Sequence, residues 1–149
     1  MSRRRVLLFG MLIPAAGFLG ACGRTEGWPP GMVEIKWDRD VCTRCKMIIS
    51  DRRFAAEVCG GPDSACRKFD DIGCALSWLA EQPWHDDSGT RIFVSDYAHP
   101  AQQWLDAHAA YYVGDRSSPM GYNFAAMSST EPGAVDFSGL RLRLSKGKG

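Results

Sequence analysis

The stretch Leu19-Gly20-Ala21-Cys22 constrains this chain more than any other. Arg3, Arg4 and Arg5 precede an apolar run from Val6 to Phe18, and small residues then lead into a cysteine. This is the layout of a bacterial lipoprotein signal, with residues 1–21 removed and Cys22 lipidated as the first residue of the mature chain. Gly23 rather than Asp follows the cysteine, which favours sorting to the outer membrane. The expectation is a lipid-anchored protein facing the periplasm, folding where thiols oxidise. Residues 22–149 are enough for one compact domain with a real core. Losing three arginines turns a net charge of +1 into −2, so no basic stripe is left for nucleic acid. No second run is long enough to cross a bilayer.

Oxidising surroundings make the cysteine count informative. Beyond Cys22 there are Cys42, Cys45, Cys59, Cys66 and Cys74. Five is odd, so at least one stays free, holds a metal or pairs between chains. Cys59 and Cys66 flank the loop Gly60-Gly61-Pro62, which points to a local disulfide.

Along the chain, residues 22–32 read as a Gly/Pro-rich tether. "MVEIKW" alternates apolar and polar residues and predicts a strand. "FAAEV" predicts a second strand and "GGPDSA" a loop. "DDIGCALSWLAEQ" predicts a helix, capped by Asp70 or Asp71, with Ile72, Leu76 and Leu79 on one stripe. Within it, Cys74 reads as a small buried apolar residue, and the two aspartates as cap and surface charge. "TRIFVSD" predicts a strand, and "HPAQQWLDAHA" a short helix or loop. In the second half, "AYYVGD" and "YNFAAM" predict strands, "SSTEPGAVDF" a helix start, and the strictly alternating "LRLRL" a final strand. Each half carries a methionine loop followed by Phe-Ala-Ala, at Phe54 and at Phe124, so Met47 and Met120 take equivalent places and can face each other.

"VCTRCKMIIS" sets Cys42, Cys45 and Met47 within six positions. A structural zinc site, a redox dithiol, a plain disulfide and a copper(I) site all use such a pair. Structural zinc normally takes four ligands, and neither a second Cys-x-x-Cys nor a histidine pair accompanies this one; His85, His99 and His108 are scattered. A redox dithiol normally opens a helix, whereas "MII" suits a strand. Thiolate with thioether favours Cu(I), and Met120 in "SPMGYNF" echoes Met47.

"CTRCKM", "KFDDIGCALSW", "QWLDAHAAYYVGD" and "SPMGYNFAA", in this order over residues 33–137, resemble the NosL family of copper-binding accessory lipoproteins of nitrous oxide reductase. The resemblance implies an α+β fold of two strand–strand–helix–strand units, about 33–96 and 110–144, within a domain spanning 33–149. It implies a Cu(I) carrier rather than an enzyme, with Cys42, Cys45, Met47 and Met120 as candidate ligands. It also implies delivery, through a membrane-associated ABC-type maturation complex, to the copper–sulfide centre of the reductase. The rival expectation is a thiol–disulfide oxidoreductase using Cys42 and Cys45. Lys46 departs from the family's Cys-x-x-Cys-Gly-Met pattern. If the usual Gly adopts positive φ, Lys strains the loop, although a nearby cation favours thiolate.

Overall fold

The computed structural model describes residues 28–147. Four strands form one antiparallel sheet: β1 (Ala56–Gly60), β2 (Ala65–Phe69), β3 (Arg91–Ser95) and β4 (Trp104–Asp106), in the order β2-β1-β3-β4. Helix α1 (Ile72–Leu79) connects β2 to β3. A two-stranded antiparallel sheet of β5 (Tyr111–Val113) and β6 (Ala125–Met127) follows, then helix α2 (Phe137–Lys146). The α+β class expected from the sequence is what the structure shows. No described helix is long and apolar enough to cross a membrane.

Side chains alternate across a strand, so each face of the large sheet has its own cover. Ala56, Val58, Phe69, Ile92 and Val94 share one face and are buried with Ile72, Ala75 and Leu79 of α1. Phe69 is fully buried with its ring 5.5 Å from Trp78, so truncating it to Ala would cost about 3–5 kcal/mol. The other face carries Glu57, Cys59, Cys66, Lys68, Arg91 and Trp104, and residues 28–40 lie over it. Val33 N–H donates to Glu57 Oε1 at 2.7 Å, and Lys68 Nζ donates to the Glu34 carbonyl at 2.5 Å. The Trp28 ring stacks on Trp104 at 5.2 Å.

Several expected elements are corrected. "MVEIKW" is extended but pairs with no strand, because its Val33 N–H goes to a carboxylate and it crosses a sheet face rather than an edge. Its burial does not alternate as predicted: Ile35 is buried, whereas Val33 is exposed. The "LRLRL" run is helix, not strand. Leu140 and Leu144 lie one turn apart and pack into the core while Leu142 faces solvent, and Leu and Arg are strong helix formers. Its cap is Asp136, which accepts from Gly139 N–H at 2.8 Å, so the helix starts later than "SSTEPG" suggested. The second half therefore runs strand–strand–helix without a closing strand among the described residues. Two strands were unforeseen. β2 is a charged edge strand held opposite β1, and β4 is three residues of the "QWLDAHA" stretch paired to β3.

Candidate metal centre

The loop carrying the Cys-x-x-Cys pair is closed by an isolated bridge between Val41 and Ile48. Inside it, Cys42 N–H donates to the Met47 carbonyl at 2.8 Å, and Lys46 N–H donates to the Cys42 carbonyl at 3.1 Å. Lys46 has φ +67°, the left-handed conformation that favours glycine, so the substitution noted in the sequence does fall on a strained position. Its ammonium returns to the Thr43 carbonyl at 2.6 Å. Thr43 N–H donates to the Lys68 carbonyl at 2.8 Å, docking the loop on the free edge of β2. The outcome is a fully buried Cys42 and a partly exposed Cys45.

Helix α1 brings two further groups. Asp71 is the N-cap, accepting from Gly73 N–H at 2.8 Å. Asp70, just before it, is left to point into the loop. The sulfurs of Cys42, Cys45 and Cys74 and a carboxylate oxygen of Asp70 all lie within 4.8 Å of one another. Asp70 is buried; its Oδ2 accepts from the Cys45 thiol at 3.2 Å, and its Oδ1 has no partner. An orphaned buried carboxylate oxygen beside three free thiols is costly unless something positively charged completes it.

The thiols do not share protons equally. A hydrogen bond from Cys74 lowers the Cys42 thiol to about 6, so Cys42 is the first thiolate. Donating that bond raises Cys74 well above an ordinary thiol, with burial adding to the effect. Burial pushes Cys45 up to about 11. A cation entering here would meet one thiolate ready-made and displace protons from the other thiols it recruits. Three sulfurs and one oxygen suit a soft or borderline metal ion.

Met120 reaches the same place from the other half of the chain. It lines an open cleft with Cys45, Cys74, Trp78 and Tyr122 and is partly exposed. Its loop is tied to the start of α1. The Ser118 hydroxyl donates a short hydrogen bond to Asp71 Oδ2 and accepts from Asn123 N–H at 2.9 Å. Burial raises Asp71, against hydrogen bonds from Ser118 and Gly73 that favour its charged form. Tyr122 lies flat on Gly73, where any Cβ would come within 2.1 Å of the ring. Gly73 is therefore the space that lets the Met120 loop close over the helix.

Of the residues singled out in the sequence, Cys42 and Cys45 meet, and Met120 lines the cleft above Cys45. Met47 gives its carbonyl to Cys42, but its side chain is about half exposed and does not line that cleft. Cys22 lies outside the described residues. Cys59 and Cys66 are joined by a disulfide, as expected. His99 sits in an exposed loop beside Asp96. Cys74 and Asp70 belong to the cluster, although the sequence had placed them as core residue and surface charge. The available signal was that two adjacent aspartates preceded one helix start and only one could be the cap.

Residues 33–139 match the sequence profile of the NosL family. A comparison with curated proteins found no match in sequence. The fold is similar to the crystal structure of the copper chaperone NosL from Shewanella denitrificans, with TM-score 0.58 and 16% identity over 79% of this chain and 89% of that one. With the profile covering most of the described domain and the fold agreeing, this chain belongs to the NosL family.

Proposed function

We propose that this protein is a Cu(I)-binding lipoprotein, anchored through Cys22 to the outer membrane and facing the periplasm. It carries copper to the machinery that matures the copper–sulfide centre of nitrous oxide reductase. The observation that carries the reading is the convergence of the Cys42, Cys45 and Cys74 sulfurs on Asp70 below a cleft lined by Met120. Family membership and the likeness to a protein named a copper chaperone support it.

The role is carriage rather than catalysis. Cys42, whose thiol the hydrogen bond from Cys74 holds below an ordinary thiol, supplies the first strong donor. Cys45 and Cys74 follow by giving up protons, and Met120 closes from above with a neutral thioether that a receiving thiolate can displace. Met47, at the surface beside the loop, is placed to meet the ion on its way in or out. An oxidoreductase built on Cys42 and Cys45 fits less well. Cys42 is fully buried away from an attacking thiol, and the pair lies in a turn rather than at a helix start.

The test is anaerobic reconstitution of reduced protein with Cu(I), with and without competing Zn(II). One copper per chain, unmoved by zinc, is the expected result. Displacement of copper by zinc would end the carrier reading.

A further inference from the structure

On the sheet face away from α1, Cys59 and Cys66 are directly opposed across β1 and β2 and joined by a disulfide. Glu57, two residues before Cys59 and on the same face, is fully buried. Its Oε1 accepts from Val33 N–H at 2.7 Å and lies 3.2 Å from the Cys59 sulfur. Its Oε2 is buried with no partner. A carboxylate held dry against a disulfide, with half its capacity unused, asks for an explanation beyond the single bond to Val33. A disulfide sulfur has no hydrogen to offer it, so the group gains a partner only when the bond opens.

We infer that Cys59–Cys66 is a redox-active pair that exchanges with an incoming dithiol, with Glu57 as the proton donor to the Cys59 thiolate. Cys66 lies on the edge strand and is partly exposed, whereas Cys59 is buried, so Cys66 is the sulfur an incoming thiolate reaches. That thiolate bonds to Cys66 Sγ, the S–S bond breaks, and its electron pair passes to Cys59 Sγ. A bare thiolate beside an ionised Glu57 would put two like charges about 3 Å apart in a dry site, which is strongly disfavoured. A neutral Glu57 instead hands its proton to the thiolate as it forms. The dithiol's second sulfur then attacks the mixed disulfide and releases Cys66, which takes up that thiol's proton. Glu57 regains its proton from solvent. The dithiol leaves as a disulfide, and both protein cysteines end as thiols.

The surroundings keep Glu57 neutral over a useful range. Burial raises its carboxyl to about 7, Asp40 adds to the rise, and Lys68 opposes it from the facing strand. On the third strand Phe93 stands opposite Glu57 and carries no charge, while Arg91 stands opposite Cys59 with its guanidinium against Gly31. This site shares no residue with the thiol cluster of Cys42, Cys45 and Cys74, so the inference holds or fails independently of copper.

The experiment reduces the intact native chain with dithiothreitol between pH 5.5 and 8.5 and traps the thiols by alkylation. Labelling at Cys59 and Cys66 is read by mass spectrometry, and rates are divided by the concentration of dithiothreitol thiolate. In the natural chain the corrected rate should fall about tenfold or more as pH rises through about 7. Glu57→Gln keeps an oxygen for Val33 N–H but has no proton to lose with pH, so its profile should be flat. A purely structural Glu57 would leave the two profiles alike, and that result would overturn the inference. So would a flat profile in the natural chain, which decides the matter alone if Glu57→Gln does not fold. A native disulfide that dithiothreitol cannot open would overturn it too.

Discussion

The two faces of the large sheet solve the same chemical problem in opposite ways. Each has cysteine sulfur 3.2 Å from a buried carboxylate that has one oxygen unpartnered: Asp70 on the side of α1, Glu57 on the other. On one face the sulfurs stay as three free thiols; on the other they are spent in a disulfide. The difference lies in the backbone. Cys59 and Cys66 are register partners in an antiparallel ladder, which holds their β-carbons close and parallel. Cys42 and Cys45 sit in a turn and Cys74 on a helix, three separate supports around a shared centre. A ladder favours a bond between two sulfurs, whereas a turn facing a helix leaves room for an ion among three.

The sharpest way to break this comparison is to move serines through both sites. Cys42→Ser should lower Cu(I) affinity on the order of a hundredfold, about 2.7 kcal/mol, in competition with a chelator. Cys74→Ser should lower it by at least about tenfold, while the double variant Cys59→Ser, Cys66→Ser should leave it unchanged. Loss of affinity in that double variant would mean that the two faces are one system. A pH effect on stability is of comparable size. The Glu57 carboxyl is raised to about 7 in the folded chain, so its contribution is full below the unfolded value near 4 and is lost as pH rises through 7. Denaturant melts should show a decline on the order of 3 kcal/mol over that window, and Glu57→Gln should remove it. Opening the disulfide by the double serine variant should cost about 2–3 kcal/mol, given its short sequence separation of 7.

Smaller effects separate ligands from their supports. Met120→Leu should reduce Cu(I) affinity about tenfold, roughly 1.4 kcal/mol, and leave the thermal melt of the metal-free chain within about 1.5 kcal/mol. Wild-type affinity in this variant would take Met120 out of the site. Lys46→Gly relieves a positive φ and should stabilise the chain by up to about 1 kcal/mol, less whatever the Lys46–Thr43 contact contributes. A destabilised glycine variant in the same melts would show that the ammonium matters more than the backbone.

What the sequence disclosed was mostly what is local. Cys42 and Cys45 were legible from their spacing, and α1 from its stripe and its Asp-Asp start. The third thiol was not, because Cys74 joins the site only when α1 docks against the loop, and on its own helix it is one small apolar residue among others. Period-two alternation misled at Leu140–Leu144. The two core-facing leucines there, Leu140 and Leu144, satisfy a helical spacing as well as a strand's, and the lack of β-branched residues was the better guide. "MVEIKW" failed differently: it is extended as predicted, but its partner is a sheet face and a glutamate. β4 left almost no mark, since three residues cannot show a period and their pairing depends on β3.

The stack of Trp28 on Trp104 determines where the described chain enters the domain: at β4, one margin of the sheet. The Cys42 loop is docked along β2, the opposite margin, about 14 Å away at ordinary strand spacing. The described chain thus enters the domain at one margin of the sheet and carries its sulfur cleft toward the other. A receiving protein can therefore approach the cleft of Cys45, Cys74 and Met120 without displacing the Trp28 stack at the far margin.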